Sequence, residues 1–120
     1  MYCIAAKDAE ISPVETEGAK DVSIQWLIDE SRGGPNFAMR RFVVEPGGCT
    51  PTHQHAWEHE VYILRGIGEV VLADETVNVA ADTAVLIEPD ELHQFRNTGV
   101  EPLEFLCLVP NGPATEGAPK

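Results

Sequence analysis

The sequence predicts an all-β protein, an antiparallel sandwich or barrel, and three observations support this prediction. Short runs rich in Val, Ile, Leu and Phe alternate with clusters of Gly and Pro at close spacing. No stretch shows the sustained period of about 3.6 residues that an amphipathic helix requires. The chain has 120 residues, of which 43% are hydrophobic, so it can bury one core. One β domain with little helix is therefore expected.

The first predicted strand pair lies before the middle of the chain. In this region apolar residues alternate with more polar ones, as is typical of a half-buried strand. The apolar positions are Val22, Ile24, Trp26 and Ile28. The run FAMRRFVVEP (37–46) follows the turn RGGPN (32–36) and is predicted to be the antiparallel partner of this strand.

Six more strands are predicted after that pair, each bounded by turn residues. They lie at 60–66, 69–75, 76–80, 83–89, 92–97 and 103–110. Residues 111–120, NGPATEGAPK, contain no large apolar side chain and are predicted to form a flexible tail. Residues 1–35 are interpreted as N-terminal strands that form a dimer, and residues 36–110 as the barrel, within one domain overall.

The charge of the chain makes two classes of function unexpected. Eight Lys and Arg residues stand against 20 Asp and Glu residues, which gives a net charge of -12. Such a surface repels phosphate backbones and anionic lipid, so no nucleic-acid or membrane partner is expected. No apolar run reaches the roughly 18 residues of a membrane span.

The cysteines and the N-terminus indicate a cytoplasmic location. Cys3, Cys49 and Cys107 are far apart and include no C-x-x-C pair, which argues against a secreted disulfide scaffold. The N-terminal residues lack the basic and apolar regions of a signal peptide. A protein of the reducing cell interior is therefore expected.

The histidines form the strongest functional signal. The chain has four, His53, His55, His59 and His93, and three of them lie in the stretch HQHAWEHE. Side chains two residues apart on a strand share a face, so the first three can project together, whereas Glu58 and Glu60 fall on the opposite face. The fourth, from a neighbouring strand, would complete a cup around one cation. Imidazole is a good ligand for Zn, Cu, Fe and Ni, and for Mn together with oxygen ligands.

Two segments resemble the motifs of the cupin family. PGGCTPTHQHAWEHEVYILRG (46–66) resembles the first cupin motif, with Gly47, the H-x-H pair and Gly66 at the expected spacing. EPDELHQFRN (88–97) resembles the second motif, in which His93 is followed by Asn97. The resemblance implies a double-stranded β-helix, the cupin jelly-roll barrel.

The chain departs from the family pattern once in each motif. His59 occupies the position that usually holds Glu, and the alternative, Glu60, fits only if the spacing to Gly66 shortens. We therefore expect His59 and not Glu60 to be the ligand. In the second motif, Pro89 is one residue closer to His93, and Glu91 replaces a Gly. The chain resembles the small bacterial cupins with an all-histidine site, which implies manganese or iron, with zinc, nickel and copper also open.

Strand parity predicts the walls of a pocket beside these histidines. The predicted lining is Arg40, Thr50, Phe95, Phe105, Cys107 and Val109. Arg40 or Arg41 could enter the barrel and pair with an anionic substrate, or either could remain a solvated edge charge. Cys107 could neighbour the metal and be oxidised, or it could be a small buried apolar side chain. Trp57 is expected to serve packing or a dimer contact.

The predicted site leads to one main functional hypothesis and two alternatives. Four neutral imidazoles leave the charge of a divalent ion uncompensated, which suits an anionic or enolisable ligand or dioxygen. The main hypothesis is a metal-dependent, dioxygenase-like oxidoreductase acting on a small organic molecule. The alternatives are a non-catalytic cupin that binds a small molecule or metal, and a metal-dependent sugar isomerase. Exposed sheet edges in so small a barrel also predict a homodimer.

Overall fold

The computed structural model describes residues 1–115 and is built almost wholly from strands. Within these residues two 3₁₀ turns, Ala6–Asp8 and Glu30–Arg32, are the helical elements. The strands are β1 (Ser12–Pro13), β2 (Lys20–Ile28), β3 (Phe37–Cys49), β4 (His59–Arg65), β5 (Ile67–Leu72), β6 (Thr76–Ala80), β7 (Ala84–Ile87), β8 (His93–Asn97) and β9 (Leu103–Pro110). The predicted all-β class is confirmed, and each predicted strand has its counterpart.

The strands form one curled antiparallel sheet with jelly-roll topology. Their order is β6-β5-β8-β3-β9-β4-β7, with β2 beside β3 and β1 beside β2. The long strand β3 pairs with β9 through residues 37–44 and then with β8 at Cys49. It therefore belongs to both halves of the barrel. The pairing predicted between β2 and β3 is confirmed, and it sets Trp26 directly opposite Arg40.

Gly66 allows the chain to pass from β4 in one half of the barrel to β5 in the other. Its φ angle is 88°, in the left-handed region that side chains with a Cβ rarely adopt. A Cβ built at this position would lie 2.5 Å from the carbonyl oxygen of Pro102. Glycine is thus required both by the backbone conformation and by the close approach of a neighbouring strand.

The core lies inside the curl and is mainly aliphatic with an aromatic stack at its centre. Phe105 stacks between Phe42 and Phe95, with ring centroids 5.3 and 4.7 Å away respectively. Each fully buried side chain of this size contributes on the order of 1.5–3 kcal/mol. The buried apolar residues of the cluster are Val22, Ile24, Trp26, Ala38, Val44, Val61, Ile63, Val70, Val79, Ile87, Phe95, Leu103, Phe105, Cys107 and Val109.

The N-terminal segment is continuous with the barrel sheet, because β2 pairs with β3 along most of its length. The first 3₁₀ turn packs over the outer face of this pair. The buried amide of Gln25 donates hydrogen bonds to the carbonyl oxygens of Ala6, at 2.6 Å, and Ala9, at 3.2 Å. Residues 1–35 thus share the sheet with the remainder of the domain.

The start of the predicted flexible tail is a turn with defined contacts. The backbone N–H of Asn111 donates to the carbonyl oxygen of Asn36 at 3.0 Å, and its side-chain amide donates to that of Gly34 at 2.9 Å. Thr115 is buried. The sequence could not reveal these amide–carbonyl contacts, which tie residues 111–115 to the 34–36 turn. Residues 116–120 of the predicted tail lie outside the described residues.

Within residues 1–115, no helix has the length and apolar character that crossing a bilayer requires.

Candidate metal site

Two strand starts and one loop position the histidines. His59 begins β4 and His93 begins β8, while His53 and His55 belong to the loop that leaves β3. The backbones of His53 and His93 exchange two hydrogen bonds of 2.9 Å, so the loop is paired to β8 at this point. Residues far apart in the sequence are thereby brought to one end of the barrel.

Three imidazole rings converge on a common centre, and the fourth contacts one of them. One ring nitrogen from each of His55, His59 and His93 lies within 4.8 Å of the other two. Nδ1 of His53 lies 3.2 Å from Nε2 of His55. That separation is close to the distance of about 3 Å between adjacent ligand atoms on an ion with metal–nitrogen bonds of about 2.1 Å. The arrangement can accommodate an ion among these rings.

The ring of His59 presents a buried nitrogen without a partner. Its Nδ1 lies 3.3 Å from Sγ of Cys107, whereas its Nε2 is buried and has no hydrogen bond within the described residues. If Nδ1 donates its proton to sulfur, Nε2 keeps its lone pair. A buried acceptor without a partner is costly in a folded protein unless a ligand engages it. The donor set therefore fits a metal ion.

His93 is oriented in the same way. Its Nδ1 donates to the carbonyl oxygen of Glu91 at 2.9 Å, which leaves Nε2 as the nitrogen with the lone pair. Metal-binding histidines in proteins commonly donate their second ring nitrogen to a carbonyl or other acceptor in this manner. Glu91, which replaces a Gly of the cupin pattern, thus orients the ring of His93 through its backbone carbonyl.

The surroundings favour the neutral form of His53, His55 and His59. Burial, followed by the charge of Arg40 and the other histidines, lowers the pKa of His59 to about 3. Burial and the neighbouring histidines lower the pKa of His55 to about 4, and burial also lowers the pKa of His53. Neutral rings are the form that binds metal, so no proton has to leave at neutral pH.

Glu60 lies on the opposite side of β4 from His59. His59 is buried, whereas Glu60 is exposed and borders, together with Glu58, a separate cavity of about 180 Å³. The direction expected from strand parity is therefore the one observed.

Val109 differs from its expected position, since it is buried but borders this second cavity. It pairs with Ala38 towards the end of β9, beyond the histidines.

A larger cavity of about 300 Å³ adjoins the histidines and is mainly apolar. All four histidines line it, and so do the predicted wall residues Arg40, Thr50, Phe95, Phe105 and Cys107. Sequence reasoning missed several further wall residues, which include Pro13, Val14, Glu15, Thr16, Ile24, Trp26, Phe42 and Ala114. The alternation of apolar residues in β2 could have indicated Ile24 and Trp26 as wall residues, because β2 lies next to β3, the strand that holds Arg40.

Arg40 enters the barrel, and Arg41 does not. Nη2 of Arg40 donates to Sγ of Cys107 at 3.0 Å, and the guanidinium carbon lies 5.4 Å from the ring centroid of Trp26. Its Nε is buried and has no hydrogen-bond partner in residues 1–115. Arg41 instead binds Gln25 and Glu104 on the outer face.

Two further side chains hold the loop and its rings in place. Oγ1 of Thr50 accepts a hydrogen bond of 2.8 Å from the backbone N–H of Phe95, which ties the loop to β8. The ring of Trp57 stacks on that of His55 with centroids 4.6 Å apart and planes 5° from parallel. Trp57 thus packs directly against a histidine of the cluster.

The fold and the histidine arrangement agree with the result of family comparison. Residues 40–109 match the cupin domain family over more than half of the chain. This protein is a cupin. The two segments that resemble the family motifs both lie inside the matched range, and they supply all four histidines.

Among solved structures, this cupin is similar to the polyketide cyclase RemF from Streptomyces resistomycificus. The two are 34% identical with a TM-score of 0.88, over 93% of this chain and 80% of that chain. It is also 37% identical over 79 residues to 1-methylthio-D-xylulose 5-phosphate methylsulfurylase of Rhodospirillum rubrum, of which it spans about half (51%). An oxalate-binding protein of Thermotoga maritima is 26% identical over 113 residues, covering 88% of this chain and 93% of that protein.

Proposed function

We propose that this cupin is a metal-dependent enzyme that acts on a small organic molecule with an apolar body and oxygen donors. His53, His55, His59 and His93 would hold one divalent transition-metal ion. The observation that supports this most directly is the buried, unpartnered Nε2 of His59 beside two other imidazoles and an apolar cavity. Manganese or iron is the proposed ion, on the basis of the resemblance to all-histidine cupins.

The chain's own residues would bind and orient the substrate. Aromatic walls formed by Trp26, Phe42, Phe95 and Phe105 suit a planar, apolar body and exclude water from it. The bound ion would supply Lewis acidity and, as iron or manganese, redox chemistry. Arg40 would orient an oxygen-bearing group at the end of the cavity near Cys107.

We favour a non-oxidative reaction on an enolisable carbonyl compound, such as ring closure of a polyketide-like chain. The likeness to RemF, with 34% identity over 93% of this chain, supports this class. The dioxygenase-like oxidation expected from the sequence is the second candidate. It is supported by the predicted all-imidazole ligand set, which would leave the charge of a divalent ion uncompensated and so suit dioxygen. A sugar isomerase is the least supported, because the apolar walls offer few polar partners for sugar hydroxyls.

Turnover with and without oxygen separates these reactions. Full-length protein loaded with Zn²⁺, Mn²⁺ or Fe²⁺ is incubated with β-diketones, short poly-β-ketones and aromatic diols, and products are followed by mass spectrometry. Conversion by the Zn²⁺ form under nitrogen supports ring closure, since zinc has no redox chemistry. Oxygen consumption restricted to the iron or manganese form supports oxidation.

The same samples distinguish an enzyme from a binding protein. Ligands that raise the melting temperature without conversion would support a non-catalytic binding role, as the name of the Thermotoga maritima relative indicates for that protein. Failure to retain any of the three metals after gel filtration would contradict the proposed function altogether.

The assembly and location predicted from the sequence remain part of this proposal. We propose a homodimer formed through residues 1–35, and the exposed apolar side chains of Tyr2 and Ile11 are suited to such a contact. Analytical ultracentrifugation tests it, because a sedimenting mass equal to one chain would contradict a dimer. The three free cysteines support a cytoplasmic location.

A further inference from the structure

Arg40 differs from every other arginine of this acidic chain in its partners. The chain has five arginines, and four of them form ion pairs with carboxylates: Arg32 with Asp29, Arg41 with Glu104, Arg65 with Glu101 and Glu104, and Arg96 with Glu69. Arg40 forms none within residues 1–115. A net charge of -12 makes acidic partners abundant on the surface, but Arg40 points away from them into the cavity.

The contacts of Arg40 leave most of its hydrogen-bonding capacity unused. A guanidinium has five N–H donors. One nitrogen of Arg40 donates to a thiol, which is a weak acceptor, and Nε is buried with no partner in the described residues. The flat sides of the group lie near Trp26 and Phe42, at 5.4 and 5.0 Å from their ring centroids. The group is thus held in place by rings, while its Nη donors other than the one to Cys107 have no hydrogen bond in the described residues.

Within residues 1–115, the charge of Arg40 also lacks a counterion in the cavity. Among the described residues that line it, Glu15 is the one carboxylate, and no ion pair joins Glu15 to Arg40. An ion held by the histidines would add two positive charges to the same cavity. Like charges in a partly buried space repel, and an anion between them would relieve the repulsion. The argument from the charge of the metal ion rests on the proposed function, whereas the contacts of Arg40 are independent of it.

We propose that the cavity binds an organic carboxylate with a planar apolar body, and that Arg40 is the residue that selects for the negative charge. The planar guanidinium fork matches the two oxygens of a carboxylate, and its donors would take up those oxygens. Trp26 and Phe42 would contact the carbon skeleton beside the carboxylate. The substrate class is thereby narrowed from small organic molecules to small organic anions.

Benzoate and benzamide test this selection because they share size and shape but differ in charge. Their binding to full-length, Zn²⁺-loaded protein is followed by tryptophan fluorescence, since both tryptophans of the chain, Trp26 and Trp57, line the cavity. Wild-type protein is expected to bind benzoate at least about tenfold more tightly than benzamide. Arg40→Gln should abolish that preference, and Arg40→Lys should keep part of it.

Arg41→Gln is the matched control, because Arg41 is the next residue in the sequence and lies on the outer face. This variant should retain the full preference for benzoate even if its melting temperature falls. Zinc content is measured in every sample. Arg40→Gln is expected to keep its zinc, so a lost preference with zinc retained identifies Arg40 as the selecting residue.

Three results would overturn the inference. The first is equal binding of benzoate and benzamide by the wild type, and the second is no fluorescence change with either benzoate or 2-naphthoate at millimolar concentration. The third is an undiminished preference in Arg40→Gln, which would mean that the metal alone holds the anion. Absence of zinc from the wild type would instead contradict the proposed function, and the comparison of arginine variants can still be made on that protein.

Discussion

Arg40 and Arg41 are neighbours on β3, and the regions on their two sides differ in how completely their polar groups are paired. On the outer face, Arg41 binds Gln25 and Glu104, and Glu104 also accepts from Arg65 at 3.2 Å. On the inner face, Arg40 and His59 each retain a buried nitrogen without a hydrogen bond in residues 1–115. The same strand therefore separates a completed polar network from an incomplete one.

This difference indicates which side stabilises the fold and which side binds a ligand. A net hydrogen bond adds about 1 kcal/mol to stability, whereas a buried polar group left unpaired costs about 1–3 kcal/mol. The outer network of Gln25, Arg41 and Glu104 is favourable in the folded chain alone. Under the two proposals above, the inner groups would become favourable when a metal ion and an anion engage them. Incomplete pairing in an otherwise consistent fold is a mark of function.

The largest expected effect is on the inner side, at His59. His59→Ala removes the buried lone pair that faces the other histidines, so metal affinity should fall by at least about 100-fold. Glu60→Ala is the matched control on the opposite face of β4 and should keep its metal. Metal content after dialysis, measured by elemental analysis, checks this. Loss of metal from the Glu60 variant instead would move the ligand assignment to the carboxylate.

On the outer side, Glu104→Gln should affect stability and leave the site unchanged. Glu104 is buried and bridges Arg41 and Arg65, so the substitution should lower the free energy of unfolding by about 2 kcal/mol. Urea unfolding measures this change. Glu69→Gln breaks a more exposed pair with Arg96 and should cost less than about 1 kcal/mol. A reduced metal content in Glu104→Gln would mean that the two faces are not independent.

A smaller effect is expected at Cys107, which contacts both Arg40 and His59. Burial raises the pKa of the Cys107 thiol, so it stays protonated and its sulfur can accept from both neighbours. Cys107→Val keeps the volume and removes the acceptor, so metal affinity should fall about tenfold. Cys107→Ser retains an acceptor and should lose less. Chelator competition measures both, and equal affinities for wild type and Cys107→Val would assign Cys107 to packing.

The smallest effect is expected at Trp57. Its ring stacks on His55, and such contacts contribute about 0.5–1.5 kcal/mol, so Trp57→Ala should weaken metal binding by about threefold. Trp57→Phe should retain most of the affinity because a ring remains. The same chelator competition applies, and an unchanged affinity in the alanine variant would show that the stack does not orient His55.

The sequence predicted the features that depend on short-range periodicity. Parity in β4 and β9 was sufficient to anticipate which way His59, Glu60 and Cys107 point. The motif spacing predicted that His93 would meet the other histidines. These properties follow from the two-residue repeat of a strand and from the geometry of the jelly-roll barrel.

Features that depend on three-dimensional register could not be predicted. The choice between Arg40 and Arg41 required knowing which face of β3 turns inward, and that is set by pairing with β9, where Arg40 faces Cys107. Val109 was expected to line the main cavity because it shares parity with Cys107, but parity does not tell how far along the strand the cavity extends. The wall residues Pro13 and Ala114 come from chain ends that carry no periodic signal.

Anomalous diffraction from crystals grown with Mn²⁺ or Fe²⁺ tests the central claim most directly. Data collected on both sides of the metal's absorption edge should show one strong peak bonded to Nε2 of His59 and to nitrogens of His53, His55 and His93. A peak held by Glu60, or no peak inside the barrel in crystals of a metal-saturated sample, would contradict the account.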